Sequence, residues 1–274
     1  INPCAVYERD FEIKNIIGKT YFVLEGVSSL GEIFVNGRYI GFTQGSHLPA
    51  EFDISEFINN GKNTIRVKVY KWCCGSSLED QDEFRCNGIF RDCYLLLRPT
   101  DHIVDPEVYT KDNTVFVNAE KDCEIELFDS SDKLLASAKG EKAEFKIENP
   151  IFWNAEKPYR YKVVLKRNGE KITLHTLFRT IEISDTFALL INGTKVKLHG
   201  VNHHDTDPKK GWAQDNESLL YDLELMKKLN INCIRTSHYP PTPFFMEKCE
   251  ELGFYVILET DLESHGALYR LPYR

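Results

Sequence analysis

The chain has 274 residues, with 34 Lys+Arg against 42 Asp+Glu, a formal net charge of −8, 42% hydrophobic and 28% charged residues. That is an ordinary globular balance, which excludes a mainly disordered chain, and the length accommodates two domains, or three if some are small. No apolar run approaches the ~18 residues of a membrane-spanning helix, and an acidic chain without a basic run is a poor candidate for nucleic acid or an anionic membrane surface.

Residues 1–100 read as β. Tyr21-Phe22-Val23-Leu24 is a short apolar run. Ile33 to Ile40 is a hairpin turning on Asn36-Gly37, because both central turn residues must tolerate positive φ. Ile65, Val67 and Val69 alternate with charged residues, as in a half-buried strand. A long polar loop, Cys73 to Phe90, follows; loops beyond ~12–15 residues in a compact domain are functional or disordered. Its Glu79, Asp80, Asp82 and Glu83 are either oxygen ligands for a hard cation or a solvated charge run. Tyr94-Leu95-Leu96-Leu97 closes the sheet, and Pro99 ends it.

Residues 101–183 are again β. Val115 and Val117, Ile125 and Leu127, Phe145 and Ile147, and Val163 and Leu165 each keep the two-residue period. This is the rhythm of a sandwich, with few polar residues placed for chemistry, so the segment reads as a scaffold.

From about residue 184 the pattern changes. A second Asn-Gly hairpin, Leu190 to Lys195, leads into Val196-Lys197-Leu198-His199-Gly200-Val201, read as a first strand. A helix is predicted from about Glu217 to Leu229, with Leu219, Leu220, Leu223 and Met226 on one face and Asp215 or Asn216 as its cap. Ile231 to Ile234 is a second strand. Thr242-Pro243 opens a second helix, Phe245, Cys249 and Leu252 share its inner face, and Gly253 ends it. Phe254 to Leu258 is a third strand. Strands alternating with helices imply a parallel sheet with right-handed crossovers. Three strands cannot close a barrel, so this segment is expected to continue beyond Arg274.

The eight cysteines, Cys4, Cys73, Cys74, Cys86, Cys93, Cys123, Cys233 and Cys249, have irregular spacings and no C-x-x-C pair. A zinc site is therefore not expected, and buried free thiols in a reducing cytoplasm are the reading adopted. No signal peptide is recognised, but the chain opens on Ile1 and an upstream segment is allowed for.

Each of the last three strands ends in polar residues. Asn202, His203, His204, Asp205 and Asp207 follow the first. Arg235, Thr236, Ser237, His238 and Tyr239 follow the second, and Glu259, Asp261, Glu263 and His265 the third. Ligands of parallel α/β folds bind at the carboxyl ends of the strands. Three strand ends converging in this way point to an active-site face. His203, His204, Asp205 and Asp207 are metal-ligating types, although hydrogen bonding is the commoner use of such a run.

These motifs together resemble a known family. Asn36-Gly37, Gly45-Ser46, Glu51-Phe52-Asp53-Ile54-Ser55 and Gly61-Lys62-Asn63 resemble the sugar-binding jelly roll of glycoside hydrolase family 2. Leu78-Glu79-Asp80-Gln81-Asp82 and Gly88-Ile89-Phe90-Arg91-Asp92 are similar to its β-galactosidase branch. His199-Gly200-Val201-Asn202-His203-His204-Asp205 resembles the family's entry into its TIM barrel. Arg235-Thr236-Ser237-His238-Tyr239-Pro240 and Glu263-Ser264-His265-Gly266 match the next two barrel loops. The motifs stand in family order over essentially the whole chain.

The resemblance implies a multidomain β plus α/β fold: a jelly-roll β-sandwich over 1–100, an immunoglobulin-like β-sandwich over 101–183, and the first three β/α units of a truncated TIM barrel over 184–274. It implies retaining hydrolysis of terminal β-D-galactosides such as lactose, in a cytoplasmic full-length enzyme that is a homo-oligomer. Another glycosidase of the family, a β-glucuronidase or β-mannosidase, stays open, as does a non-catalytic carbohydrate-binding β-sandwich protein. Asn2 and Asp92 match sugar-contacting residues, Asp92 also a sodium ligand, and His238 and His265 match histidines that hydrogen-bond sugar hydroxyls. Magnesium and sodium ions are the implied cofactors, the magnesium site lying mostly downstream. His203 stands where the family usually has arginine, Asp205 where it has glutamate, and Asp261 where it has asparagine. The family's catalytic glutamates lie on later strands. Glu259 and Glu263 are two carboxylates of the kind glycoside hydrolysis needs, but they sit where the family places neither role.

Overall fold

The structure, a computed structural model, describes residues 1–79 and 82–263. The first ninety-eight residues form an antiparallel β-sandwich. Its strands are β1 (Cys4–Ile13), β2 (Lys19–Leu24), β3 (Val27–Ser28), β4 (Leu30–Val35), β5 (Arg38–Gln44), β6 (Ala50–Asp53), β7 (Gly61–Tyr70), β8 (Gly88–Ile89) and β9 (Cys93–Arg98). One sheet runs β1-β7-β4-β5 and the other β6-β2-β9, with β3 and β8 paired separately. The register of β4 on β7 sets Ile33 against Val67 and Val35 against Ile65, so the alternation read from the sequence becomes one apolar face. These side chains pack with Phe22, Leu24 and Ile54 from the other layer. Each fully buried aliphatic residue contributes roughly 1.5–3 kcal/mol over exposure. The hairpin turns on Asn36 and Gly37, both at positive φ.

The next region comprises β10 (Glu107–Lys111), β11 (Thr114–Phe128), β12 (Leu134–Lys146), β13 (Tyr161–Arg167), β14 (Glu170–Thr176), β15 (Ile181–Ile183), β16 (Leu189–Ile191) and β17 (Thr194–Lys195). The long β11 is bulged between Asn118 and Cys123; its first part pairs with β10 and its last with β13, and β12 pairs along both parts. Val115, Val117, Ile125, Leu127, Val163 and Leu165, each predicted to point inward, are all essentially inaccessible, with Phe145, Tyr161 and Phe178 around them.

A parallel segment follows: β18 (Gly200–His203), α1 (Asn216–Lys228), β19 (Cys233–Thr236), α2 (Pro243–Leu252) and β20 (Tyr255–Ile257), in the sheet order β18-β19-β20. Asp215 caps α1 by accepting from Ser218 N, and α1 buries Leu219 and Leu223. Two of the predicted strands are displaced. Val196 N donates to Leu189 O, so the residues before Gly200 stay with the preceding hairpin. Asn202, His203, Arg235 and Thr236 accordingly lie within β18 and β19 instead of after them.

By compactness the described chain forms two units. One joins 1–98 to 200–247 and to the chain from 256 on; the other joins 99–199 to 248–255. Within the second unit, Trp153 is buried and its Nε1 donates to Glu250 O at 2.8 Å. All eight cysteines are free, but only Cys123, Cys233 and Cys249 are buried. Cys4 and Cys93 open edge strands and Cys74 lies in the helical turn after β7, and all three are exposed, so the expectation of buried thiols is corrected for these positions. Among the described residues, no helix is long and apolar enough to cross a membrane.

Candidate functional site

The parallel pairing of β18 with β19 brings their carboxyl ends level, Asn202 beside Arg235 and His203 beside Thr236. A cavity of about 360 Å³ opens at these ends, lined by Asp82, Arg235, His238, Glu259, Thr260, Leu262 and Glu263. Asp82 comes from the long polar loop of the first sandwich. That loop is tied to the third strand end, where Glu263 N donates to Leu78 O at 2.7 Å.

Glu259 organises the floor of the cavity. Its N–H donates to Thr236 Oγ1 at 3.0 Å. One carboxylate oxygen pairs with Arg235 Nε, and the other lies 3.2 Å from His238 Nδ1. Arg235 Nη1 also donates to Asn202 Oδ1 at 3.3 Å. The His204 ring stands edge-on to His238, with centroids 5.2 Å apart. Burial pushes the His204 pKa down, and the neighbouring histidines add to this.

Beside the cavity the same loops are fastened to the first sandwich by a buried aromatic and ionic cluster. His47 Nδ1 and N both contact the Asp261 carboxylate at 2.9 Å. The His47 ring stacks on Tyr239, with centroids 3.7 Å apart, and meets the edges of Trp212 and Phe90. Burial lowers the His47 pKa in spite of Asp261. Arg91 donates to His47 O and Pro240 O, each at 2.8 Å, and to Asp205 at 3.4 Å. His203 lies 3.4 Å from both Asp205 and Asp222. Burial opposes charge on His203, but these two carboxylates outweigh it and raise its pKa.

Of the residues singled out from the sequence, His238 lines the cavity, while Asn2 and Asp92 do not. Asn2 pins the start of the chain to the backbone of Trp72, donating to its O at 2.7 Å and accepting from its N at 3.0 Å. Asp92 is exposed just before β9, and its carbonyl accepts from Glu25 N at 3.0 Å. His265 and Asp80 lie outside the described residues. Glu79 is buried and accepts from Ser46 N at 3.0 Å and Ser46 Oγ at 2.7 Å, so it is spent on a loop and not on a cation. Among the described residues no group of three or more His, Cys, Asp or Glu could hold a metal ion. Asp92 is a hard oxygen donor of the type sodium prefers. A single exposed carboxylate does not by itself make a site, and the described residues around Asp92 supply one hard oxygen donor and no complete ligand set.

Sequence reasoning missed His47, Trp212 and the task of Glu259. His47 carried a local signal, a histidine directly after Gly45-Ser46; its partner Asp261 is 214 positions away.

Two antiparallel β-layered regions followed by parallel β/α units with polar strand ends define a multidomain chain of the kind that carries its site at a barrel mouth. Family models give it a finer place. Residues 1–99 match the glycosyl hydrolases family 2 sugar binding domain, 101–178 match glycosyl hydrolases family 2, and 181–271 match the glycosyl hydrolases family 2 TIM barrel domain. The chain belongs to glycosyl hydrolase family 2. It is 40% identical over 277 residues to a β-galactosidase of Actinobacillus pleuropneumoniae and 38% identical over 281 residues to one of Staphylococcus xylosus. Each alignment covers 97% of this chain but only 28% of the relative, so the chain spans little more than a quarter of these proteins' length. Among solved structures, the β-glucuronidase of Bifidobacterium dentium complexed with coumarin-3-O-glucuronide aligns with TM-score 0.84 at 21% identity, covering 94% of this chain and 53% of that one. A Ruminococcus gnavus β-glucuronidase in complex with uronic deoxynojirimycin gives 0.85 at 24%, covering 94% and 50%. At these identities the structural likeness speaks to the fold: sandwich, immunoglobulin-like sandwich and the beginning of a TIM barrel.

Proposed function

We propose that the protein to which this chain belongs is a retaining β-galactosidase acting on terminal β-D-galactosides such as lactose. The observation that carries the reading is identity of 38–40% to β-galactosidases across 97% of this chain. In such an enzyme one carboxylate attacks the anomeric carbon, and a second protonates the departing oxygen and then activates water. Both belong to later barrel strands in the family. This chain's part is recognition: a sandwich over 1–100, a spacer sandwich over 101–183 and the barrel's opening units over 184–274, with Asn2, Asp92, His238 and His265 as sugar contacts.

Electrostatics support a neutral sugar over a uronate. The cavity lining carries Asp82, Glu259 and Glu263 against one cation, Arg235, which Glu259 already pairs. A substrate carboxylate placed there meets like charge without a free partner. Sodium, to which Asp92 would lend one oxygen, and magnesium, held mostly downstream, stay as family-implied proposals, and no step is routed through either. A cytoplasmic, homo-oligomeric enzyme completes it, with no role for nucleic acid or membrane.

The test is a panel of chromogenic β-galactoside, β-glucuronide and β-mannoside assayed on the full-length protein. The expected result is a kcat/KM for the galactoside well above the other two. A preference for the glucuronide or mannoside, or no turnover of any, overturns the reading.

A further inference from the structure

Glu259 has no role in the galactoside reading, yet both of its carboxylate oxygens are engaged at the cavity wall. Its backbone is tied to the end of β19 through Thr236 Oγ1, and its two carboxylate oxygens engage Arg235 and His238. We propose that Glu259 is a positioning residue that holds His238 in the Nδ1–H tautomer, so that the neutral imidazole presents Nε2 as a hydrogen-bond acceptor to a sugar hydroxyl. The inference rests on the reading of His238 as a substrate contact.

Donor and acceptor chemistry decides the tautomer. An ionised carboxylate can only accept, so the His238 nitrogen 3.2 Å from Glu259 Oε2 must carry the proton for a hydrogen bond to form. A neutral imidazole has one N–H, which leaves Nε2 with a lone pair; the bond made by one ring nitrogen fixes the state of the other. One group pulls the opposite way. Arg235 Nη2 lies 3.4 Å from the same Nδ1, and a guanidinium only donates. Arg235 is drawn off by Glu259 through Nε, and by Asn202 at 3.3 Å and Ser237 Oγ at 3.4 Å through Nη1. Both candidate bonds are charge-assisted, but the carboxylate is nearer, at 3.2 Å against 3.4 Å, and the guanidinium is already engaged elsewhere. Of the other titratable neighbours, His204 stands edge-on to the ring, and Asp82 and Glu263 lie on the cavity wall.

The polarity has a consequence for selection. A sugar hydroxyl can donate to Nε2, whereas a carboxylate or carbonyl oxygen meets lone pair against lone pair. A buried acceptor left unpaired is costly, and sites built around such a group discriminate strongly. The Glu259–His238 pair therefore favours a hydroxyl-bearing pyranoside at that position over an oxidised one.

Two measurements test this. The first is imidazole ¹H–¹⁵N correlation on the labelled 274-residue chain at alkaline pH, with His238→Gln to identify the resonance. The expected result is Nδ1–H for His238 in the wild type, a change to Nε2–H in Glu259→Ala, and retention of Nδ1–H in Glu259→Gln, whose amide oxygen still accepts. Nε2–H in the wild-type chain overturns the inference without recourse to any variant, and so does an unchanged tautomer in a folded Glu259→Ala. The second is kcat/KM of the full-length enzyme. Glu259→Ala is expected to lose roughly ten- to hundredfold, the range for partners that orient a functional histidine, with Glu259→Gln recovering most of it. The double variant with His238→Ala should be no worse than His238→Ala alone; additive losses overturn the positioning role. If His238→Ala itself leaves kcat/KM unchanged, the substrate-contact reading fails, while the tautomer result still reports on Glu259.

Discussion

His238 is where the sequence and the geometry meet. A polar residue just past an apolar strand in an α/β run belongs to the ligand face, and the structure puts this one on the cavity wall. Hydrogen bonds to sugar hydroxyls that tighten as the ring flattens raise turnover and not merely binding. His238→Ala in the full-length enzyme is therefore expected to cost about 2–4 kcal/mol in kcat/KM, the scale of one lost transition-state hydrogen bond in a preorganised site. A brace for the loop would instead lose melting temperature in step with activity, so both are measured; near-wild-type kcat/KM removes His238 from the site. The neighbouring residues were harder to read. Glu79 sits in an acidic run that from sequence is either a cation site or a solvated patch, and it is instead buried on Ser46. His47 and Asp261 meet only because a jelly-roll turn packs against the third strand end, and no local periodicity reports a contact across 214 positions.

At the level of elements, the period-two strands and the two helices were legible because burial follows side-chain spacing directly. The boundaries were less so. Val196 and Leu198 alternate as a strand does, but hydrogen bonding back to Leu189 keeps the segment with its hairpin, and parallel pairing starts only at Gly200. The end of α2 was readable from one residue. Gly253 takes φ 82°, and a Cβ there would sit 2.4 Å from Ala155 O. Gly253→Ala is expected to destabilise the chain by at least about 1–3 kcal/mol, combining backbone strain with a clash against main chain that has no side-chain freedom to yield. Thermal melting reads this, because 1 kcal/mol moves Tm by ~2–4 °C in a protein of this size. A variant melting with the wild type would mean that the loop around Ala155 gives way.

The whole molecule was legible as an order of modules, since each changes the hydrophobic period, while the joining of the first sandwich to the parallel segment was not. Arg91 illustrates why. It lies in a motif quoted from the sequence, yet its function is to bind His47 O, Pro240 O and Asp205 at once, which depends on three-dimensional closure. Because the family's nucleophile and acid lie on later strands, the 274-residue chain assayed alone is expected to leave a chromogenic β-galactoside intact. Turnover that follows the chain through purification and survives Glu259→Ala/Glu263→Ala would refute that division of labour.

The joined unit also carries a pH signature. Burial pushes the Glu83 pKa up to about 8, the negative charge of Asp261 adds to it, and Arg85 opposes it. Its Oε2 is buried and has no hydrogen-bond partner among the described residues. The folded state therefore keeps a proton that the unfolded chain releases near its ordinary value of ~4.5. Between those two values the native state binds more protons than the unfolded one, so this group's stabilisation is complete below about pH 4.5 and is lost as pH rises toward 8. Glu83→Gln keeps the shape without the ionisation. The difference in Tm between Glu83→Gln and wild type isolates this group, because the opposing contributions of His47 and His203 are common to both. The variant should melt higher near pH 8 and converge with wild type toward pH 5, with a difference on the order of 1–2 kcal/mol after allowance for partial solvent screening. A gap that stays constant across that range would mean that Glu83 ionises in the folded chain as it does in water.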